Sequence, residues 1–251
     1  MLYEPKGRAG EYGRLAVNLY TNCPHGCLYC YVPQTLRRDK TEFHSGPVRP
    51  KPNWENILRK DLEKQAKFAA RHAVFMCFAC DPYPNGYEAL ETRAAIEMIH
   101  SFGFPVRLLT KSAEQSYRDF DLLTDQDTFG VSLSTLTQDA AVWEPGASAA
   151  MARYFLLQAA KKRGLRTWVS LEPVLGYAEA VGVLEAVKGY ADTVYIGKLN
   201  YMEYAKTIDW PALTLGLVEL ADKLGMNVKF KSDLAAYLPA VYLPLGAAGR
   251  E

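Results

Sequence analysis

The segment LAVNLYTNCPHGCLYC, at residues 15–30, joins an apolar run to three closely spaced cysteines. Residues 15–21 predict a β-strand, and Cys23, Cys27 and Cys30 follow it with the spacing C-x3-C-x2-C. Thiolate sulfur binds iron and zinc tightly, and a short loop costs little entropy to close. This segment therefore predicts a metal centre at the end of the first strand.

The number of cysteines distinguishes a structural zinc site from an iron–sulfur cluster. A structural zinc needs a fourth protein ligand to complete its tetrahedron, whereas an iron–sulfur cubane held by three cysteines keeps one iron open for chemistry. The absence of a fourth nearby cysteine favours the cubane. A zinc knuckle and incidental buried thiols stay open as alternatives.

The motif C-x3-C-x-aromatic-C, with Tyr29 as its aromatic residue, resembles the signature of the radical S-adenosylmethionine (SAM) superfamily. The resemblance implies a [4Fe-4S] cluster on Cys23, Cys27 and Cys30, with SAM bound to the open iron through its amino and carboxylate groups. It also implies reductive cleavage of SAM to a 5′-deoxyadenosyl radical and an electron donor of flavodoxin or ferredoxin type. The radical would abstract hydrogen from a substrate that the sequence does not identify.

Four later segments resemble the spore photoproduct lyase-like branch of that superfamily over about residues 15–200. They are CDPYP at 80–84, LTKS at 109–112, VSLST at 131–135 and WEPG at 143–146. The resemblance implies an α/β fold, a partial (β/α)6 barrel with a short C-terminal extension at 201–251. It places the Asp81 loop near the SAM amino group, and Thr110, Lys111, Ser132 and Ser134 near its carboxylate and ribose. A nucleic-acid-directed lyase or modifying enzyme is the alternative function within this branch.

Composition limits the class of protein. A chain of 251 residues with 49% hydrophobic content is long enough for one large domain, and we expect residues 1–251 to form a single one. The net charge of +1 gives no general attraction for nucleic acid or membrane surfaces. No apolar run approaches the roughly 18 residues that span a bilayer, and the five cysteines include no disulfide framework. We expect a cytoplasmic protein without membrane partners.

Apolar runs alternate with amphipathic segments along the chain, which predicts βα units around a parallel sheet. After the first strand, the predicted strands are residues 73–80, 105–111, 129–135, 166–174, 193–199 and a short one at 227–231. Ser112 and Gln115 predict a capping box, and Asp209 predicts the start of a later helix.

Polar residues recur where these strands end, and active sites of βα barrels are built at that edge of the sheet. The rule selects a set of candidate cofactor neighbours: Asp81, Tyr83, Thr110, Lys111, Ser132, Ser134, Glu172, Lys198 and Asn200. Each could instead satisfy local backbone or cap a loop. Alternation along the strands predicts a polar inner face and a hydrated lumen, in which Glu172 needs a partner.

Cys77 and Cys80 form a second C-x2-C pair. On a regular strand their side chains point to opposite faces, so they are not expected to share a metal. Cys77 is predicted to be a buried, inert thiol, while Cys80 lies at the active-site edge as a candidate hydrogen donor. A Cys80→Ala enzyme with unchanged products would contradict that role.

The connection at residues 31–52 is rich in basic side chains, namely Arg37, Arg38, Lys40, Arg49 and Lys51. It is either a solvated loop or a rim that faces phosphates, and steep salt dependence of DNA or RNA binding would indicate the second. A non-catalytic, zinc-stabilised binding module is the alternative from a different functional class.

Overall fold

The computed structural model describes residues 1–69, 71–239 and 242. Its strands are β1 Leu15–Val17, β2 Val74–Met76, β3 Val106–Thr110, β4 Thr128–Ser132, β5 Arg166–Val174, β6 Thr193–Lys198 and β7 Val228–Phe230. Its helices are α1 Val32–Leu36, α2 Lys40–Ser45, α3 Trp54–Gln65, α4 Leu90–Ser101, α5 Glu114–Arg118, α6 Ala140–Trp143, α7 Ala150–Lys162, α8 Tyr177–Val187, α9 Trp210–Leu224 and α10 Ser232–Ala235.

The strands form one parallel sheet in the order β1-β2-β3-β4-β5-β6-β7, with helical segments in the connections. Within the described residues β1 and β7 do not pair, so the sheet is open. This is the predicted α/β fold, a partial barrel with a short seventh strand after the six βα units. Parts of the predicted completion at 201–251, namely residues 240, 241 and 243–251, lie outside the described residues.

The first two strands are shorter than predicted because their ends bend away from the sheet. After β1, the Asn18 side chain accepts a hydrogen bond from the Ala79 backbone N–H at 2.8 Å. After β2, Cys77 takes a left-handed φ of 66°, which an extended strand cannot contain. Both departures lie at the carboxyl edge, where the chain turns into loops.

The sheet curls around a cluster of aromatic side chains. The ring centroids of Phe75 on β2 and Trp168 on β5 are 6.3 Å apart. In a flat sheet these strands would be about 14 Å apart, at about 4.8 Å a strand. Tyr12, from the segment before β1, packs against both rings and against Tyr195 on β6. The predicted hydrated lumen is therefore wrong for this layer, which is filled by rings.

Local sequence signals predict the start of one helix correctly and the start of another wrongly. The Asp209 carboxylate caps α9 by accepting from the Ala212 N–H at 3.1 Å, as predicted. The capping box at Ser112 and Gln115 is wrong, because α5 begins at Glu114 and the Gln115 amide donates to the Pro84 carbonyl instead. No helix among the described residues is long and apolar enough to cross a membrane.

Candidate active site

A cavity of about 420 Å³ opens at the carboxyl edge of the sheet and brings together most of the predicted site residues. The predicted residues that line it are Cys23, Cys27, Cys30, Tyr29, Cys80, Asp81, Lys111, Ser132, Glu172, Lys198 and Asn200. Its volume lies within the range of small-molecule sites, about 300–1,000 Å³. The cysteine loop and the polar ends of the strands therefore face one space.

Tyr83, Thr110 and Ser134 do not line this cavity, although the sequence placed them near the cofactor. The Asp81 carboxylate explains two of these positions, because it accepts from the Thr110 hydroxyl at 2.6 Å and from the Tyr83 N–H at 2.9 Å. It also accepts from the Lys111 N–H at 2.7 Å. Asp81 thus ties the loop after β2 to the end of β3, and Thr110 is a positioning residue behind the cavity wall.

His25 connects the cysteine loop to the same carboxylate. Its Nδ1 lies 3.5 Å from Asp81 Oδ2, and its Nε2 accepts from the Asn85 N–H at 3.3 Å. Burial lowers the pKa of His25, an effect that nearby Asp81 only partly offsets. With both ring nitrogens engaged, neutral His25 acts as a bridge between the cysteine loop and the loop after β2.

The aromatic residue of the cysteine motif is held by a buried acid that the sequence analysis did not single out. Tyr29 donates its hydroxyl hydrogen to Glu144, and Ser134 donates to the same carboxylate at 3.4 Å. Burial and the charge of Glu144 raise the pKa of Tyr29 well above its usual value, so its hydroxyl stays protonated. Ser134 therefore belongs to this network and not to the cavity lining.

Two cations balance the negative charge of Glu144. The Arg153 guanidinium donates to Glu144 Oε2 at 2.5 Å and to the Ser132 carbonyl at 2.6 Å, and the Lys111 ammonium lies 4.0 Å from Oε1. Burial raises the pKa of Glu144, but these cations together with Tyr29 outweigh it, and the pKa is lower than usual. The signal for Glu144 was its place in the WEPG segment, but nothing local indicated that it would be buried.

The WEPG segment also supports the backbone of the cysteine loop. The Leu28 N–H donates to the Trp143 carbonyl at 2.9 Å, and the Gly146 N–H donates to the His25 carbonyl at 2.8 Å. A Cβ at Gly146 would lie 2.2 Å from the Pro24 carbonyl oxygen. Only a glycine lets the two segments approach this closely.

The three thiols match the number of protein ligands that a cubane cluster with one open iron takes. Among the described residues no group of three or more His, Cys, Asp or Glu side chains could hold one metal ion. A cubane takes one thiolate on each of three irons, so its ligands surround it rather than meet at a point. Burial raises the pKa of Cys27 to about 11 and also raises those of Cys23 and Cys30. Metal binding must therefore displace protons from them.

Cys77 and Cys80 both line the cavity, contrary to the predicted opposite faces. The left-handed backbone of Cys77 ends the strand alternation on which that prediction depended. The hydrogen bond that the Cys80 thiol donates to Cys77, reinforced by burial, raises the pKa of Cys80 well above its usual value. Cys80 therefore keeps its S–H hydrogen at neutral pH.

The far end of the cavity contains the partner that Glu172 was predicted to need. The Lys231 ammonium, from the residue after β7, donates to both Glu172 oxygens, at 2.8 and 3.1 Å. The Tyr12 hydroxyl donates to Glu172 at 2.6 Å and lies 2.8 Å from the Ser170 hydroxyl. Sequence reasoning missed Tyr12 and Lys231, which come from opposite ends of the chain.

Lys198 and Asn200 line the same end of the cavity. The Lys198 ammonium donates to the Tyr237 hydroxyl at 2.8 Å, and the Asn200 amide donates to Asp233 at 2.9 Å. Both predicted residues are thus anchored to the segment that follows β7.

The basic side chains of the connection at residues 31–52 differ in their surroundings. The Arg38 guanidinium donates to the Thr21 carbonyl at 2.7 Å and lies 3.5 Å from Glu42, so it supports the loop. Lys40 donates to the Leu28 carbonyl at 2.8 Å. Arg37 and Arg49 are exposed.

The family model of the Radical SAM superfamily matches residues 17–186. The chain belongs to the radical SAM superfamily, as its motif predicted. Membership implies a [4Fe-4S] cluster and SAM as cofactors, and it favours an enzyme over a zinc-stabilised binding module.

Individual relatives are distant. An uncharacterized protein, ORF301, of Acidianus two-tailed virus is 30% identical over 172 residues, which are 63% of this chain and 55% of the viral protein. The chain therefore spans about half the length of this curated relative.

Two solved structures share the fold. Streptococcus suis SuiB bound to S-adenosylmethionine has a TM-score of 0.67 at 11% identity, covering 91% of this chain and 53% of SuiB. Spore photoproduct lyase complexed with dinucleoside spore photoproduct has a TM-score of 0.66 at 15% identity, covering 92% of this chain and 79% of the lyase. At these identities the similarity concerns the fold alone.

Proposed function

We propose that this protein is a radical SAM enzyme that abstracts hydrogen from a substrate after reductive cleavage of SAM. The observation that carries the proposal is the common cavity of Cys23, Cys27 and Cys30 with the polar strand ends. When bound, the cluster and SAM would supply a 5′-deoxyadenosyl radical. The protein itself would bind, orient and shield these groups from water.

Different residues would hold the cluster, support the cysteine loop and bind SAM. The cysteines would hold the cluster, while Glu144, Arg153 and Tyr29 keep the cysteine loop in place through the WEPG segment. The Lys111 ammonium lies at the cavity wall and is the candidate to meet the SAM carboxylate, because a cation and a carboxylate form strong hydrogen bonds. Ser132 offers a hydroxyl in the same wall.

Cys80 is the candidate hydrogen-atom donor. It lines the cavity, and its raised pKa preserves the S–H bond that such a donor needs. Once a substrate is known, turnover by Cys80→Ala decides the role, since unchanged products at an unchanged rate would contradict it.

The test of the proposal is anaerobic reconstitution with iron and sulfide, followed by metal analysis and a 5′-deoxyadenosine assay with SAM and dithionite. We expect about four irons and four sulfides per chain and formation of 5′-deoxyadenosine. Cys27→Ala should lose both, whereas Cys77→Ala is the matched control that keeps the cluster. Purified protein that carries zinc without labile sulfide, and that does not cleave SAM, would contradict the proposal.

A further inference from the structure

Three cationic side chains line the cavity at the end that Glu172 occupies, namely Arg8, Lys198 and Lys231. Acids balance two of these charges, because Lys231 donates to Glu172 at 2.8 Å and Arg8 donates to Asp233 at 2.6 Å. The Asn200 amide, from the segment just after β6, donates to the same Asp233 oxygen at 2.9 Å. Asp233 therefore holds Arg8 close to the end of β6.

Lys198 differs from the other two cations because its partners are neutral. Its ammonium donates to the Tyr237 hydroxyl at 2.8 Å and lies 5.0 Å from the ring centroids of Trp210 and Tyr237. Among the residues that the structure describes, no acid pairs with it. An ammonium carries three N–H donors, so Lys198 can donate to a further acceptor besides Tyr237. Its positive charge is therefore available to a ligand in the cavity.

Solvent reaches this end of the cavity at Tyr201. This residue is 72% exposed and lines the cavity, and its ring centroid lies 5.9 Å from the guanidinium carbon of Arg8. Its backbone φ of 62° is in the left-handed region, which is rare for an aromatic residue, and such conformations cluster at ligand sites. Exposed Lys6 also lines the cavity and has no ion pair within the described part of the chain. The cavity thus contains two positive charges, on Lys6 and Lys198, that no acid balances.

We propose that this end of the cavity binds an anionic group of the substrate, a phosphate or a carboxylate, through Lys198 and Arg8. The inference rests on the proposed function and adds the chemical class of the substrate. Ammonium and guanidinium groups form charge-assisted hydrogen bonds with both anions, and these bonds are stronger than those between neutral groups. Holding the anion at a fixed point would orient the rest of the substrate toward the proposed cluster site.

The acids at this end are already occupied by donors of the protein, which favours an anionic ligand over a cationic one. Glu172 accepts from Lys231 and from the Tyr12 hydroxyl, and Asp233 accepts from two other side chains. A cationic ligand would compete with these donors and add to the charge of Lys198. An anionic ligand would balance that charge instead.

The carboxylate of SAM has a different candidate partner, so it does not account for Lys198. The Lys111 ammonium lies 5.8 Å from the ring centroid of Tyr29, which belongs to the cysteine motif. Lys111 is therefore at the cysteine end of the cavity. Lys198 follows Gly197, whose Cβ, if it had one, would lie 2.6 Å from the Glu172 side chain. We therefore assign the anion at Lys198 to the substrate.

The test measures the affinity of the reconstituted protein for inorganic phosphate and for acetate by isothermal titration calorimetry at constant ionic strength, with and without SAM. Lys198→Met removes the charge and keeps a side chain of similar length. Lys188→Met changes the charge equally at an exposed residue after α8 and is the matched control. Lys198→Arg keeps the charge.

We expect saturable anion binding by the original protein and about tenfold or more weaker binding by Lys198→Met, because a hydrogen bond to a charged group is lost. Lys188→Met should bind as the original does, and Lys198→Arg should bind more tightly than Lys198→Met. Tighter binding of phosphate than of acetate would indicate a phosphorylated substrate, and the reverse would indicate a carboxylate.

A second measurement needs no variant at position 198. N-Hydroxysuccinimide acetate modifies lysines of the original protein, and mass spectrometry gives the extent of acetylation at each position. The preferred anion should slow acetylation of Lys198 and leave that of Lys188 unchanged. Equal rates at Lys198 with and without the anion would contradict the proposal even if Lys198→Met failed to fold.

Three calorimetric results would overturn the proposal. They are no saturable binding of either anion to the original protein, equal affinity in the original and Lys198→Met, and displacement of the anion by SAM. The last result would assign Lys198 to the cofactor. Failure of the proposed function is distinguishable, because it would abolish 5′-deoxyadenosine formation, whereas anion binding can also be measured on the apoprotein and needs no SAM cleavage.

Discussion

Glu144 is a charged residue in a place that water barely reaches, since only 2% of it is exposed. Its charge is acceptable because Arg153, itself 1% exposed, lies against it. Removing one member of a buried pair leaves the other charge without compensation, which costs more than the pair itself contributes.

We therefore expect Glu144→Gln to lower the free energy of unfolding of the apoprotein by about 3–5 kcal/mol at pH 7. Guanidinium unfolding measures this, with exposed Glu185→Gln as the control. Because the pKa of Glu144 is lowered by folding, its contribution is complete above the unfolded value of about 4.3 and is lost as pH falls through the lower folded value. The difference in the free energy of unfolding between the original protein and Glu144→Gln should become smaller toward pH 3. A difference that becomes larger there would contradict this account.

A single rule predicted where many polar side chains lie, while their roles in cofactor binding stay predictions. Polar residues at strand ends face the cavity because parallel strands end at one edge. It failed for Tyr83, whose side chain is fully buried away from the cavity although its backbone supports Asp81. It also missed Glu144 and Lys231, since their partners are chosen by folding in three dimensions and not by nearby sequence.

The WEPG segment, which begins at the last residue of α6 and continues toward α7, supports the cysteine loop. Its Gly146 has no room for a side chain, because the cysteine loop crosses directly above it. The fold of the loop therefore depends on a position more than a hundred residues later in the chain.

Gly146→Ala should push the cysteine loop away and reduce iron and sulfide content after reconstitution to less than about half, since the added carbon overlaps backbone atoms that cannot move independently. Far-ultraviolet circular dichroism should stay unchanged. Gly182→Ala, in the middle of α8 with open space around it, is the control and should stabilise the protein by about 0.5–1 kcal/mol. Full cluster content in Gly146→Ala would show that the loop tolerates displacement.

Element types were predictable because apolar periodicity and helix-ending signals are local. β5 matches its predicted bounds of 166–174, and α9 begins after Asp209. The ends of β1 and β2 were not predictable. They depend on Asn18 and Cys77 adopting contacts and dihedral angles that belong to the loops of the assembled site.

At the scale of the whole molecule, residues 8–12 meet residues 231–233 at the open side of the sheet. The Arg8 guanidinium donates to Asp233 at 2.6 Å, and the Ser232 hydroxyl donates to Glu11 at 2.8 Å. Beside them, Lys231 and Tyr12 converge on Glu172. These contacts join the segment before β1 to the segment after β7.

Lys231→Met should lower the free energy of unfolding by about 1.5–3 kcal/mol, because it removes the charged donor of Glu172 and leaves the Tyr12 hydroxyl as the donor to that carboxylate. Adding Glu172→Gln should recover part of the loss. Chemical denaturation of the single and double variants measures both effects. A double variant no more stable than Lys231→Met would show that the pair is not coupled.

Tyr12 finally has a consequence for the order in which the chain folds. Its ring fits among Phe75, Trp168 and Tyr195, and its hydroxyl is oriented beside a lysine that is synthesised more than two hundred residues later. During synthesis Tyr12 is therefore made long before Lys231. Until the later strands have formed, the rings that Tyr12 will cover stay accessible to solvent and to chaperones. Contacts of such long sequence separation form late and slow the approach to the native state. The last kinetic phase of refolding should then coincide with the burial of Tyr12.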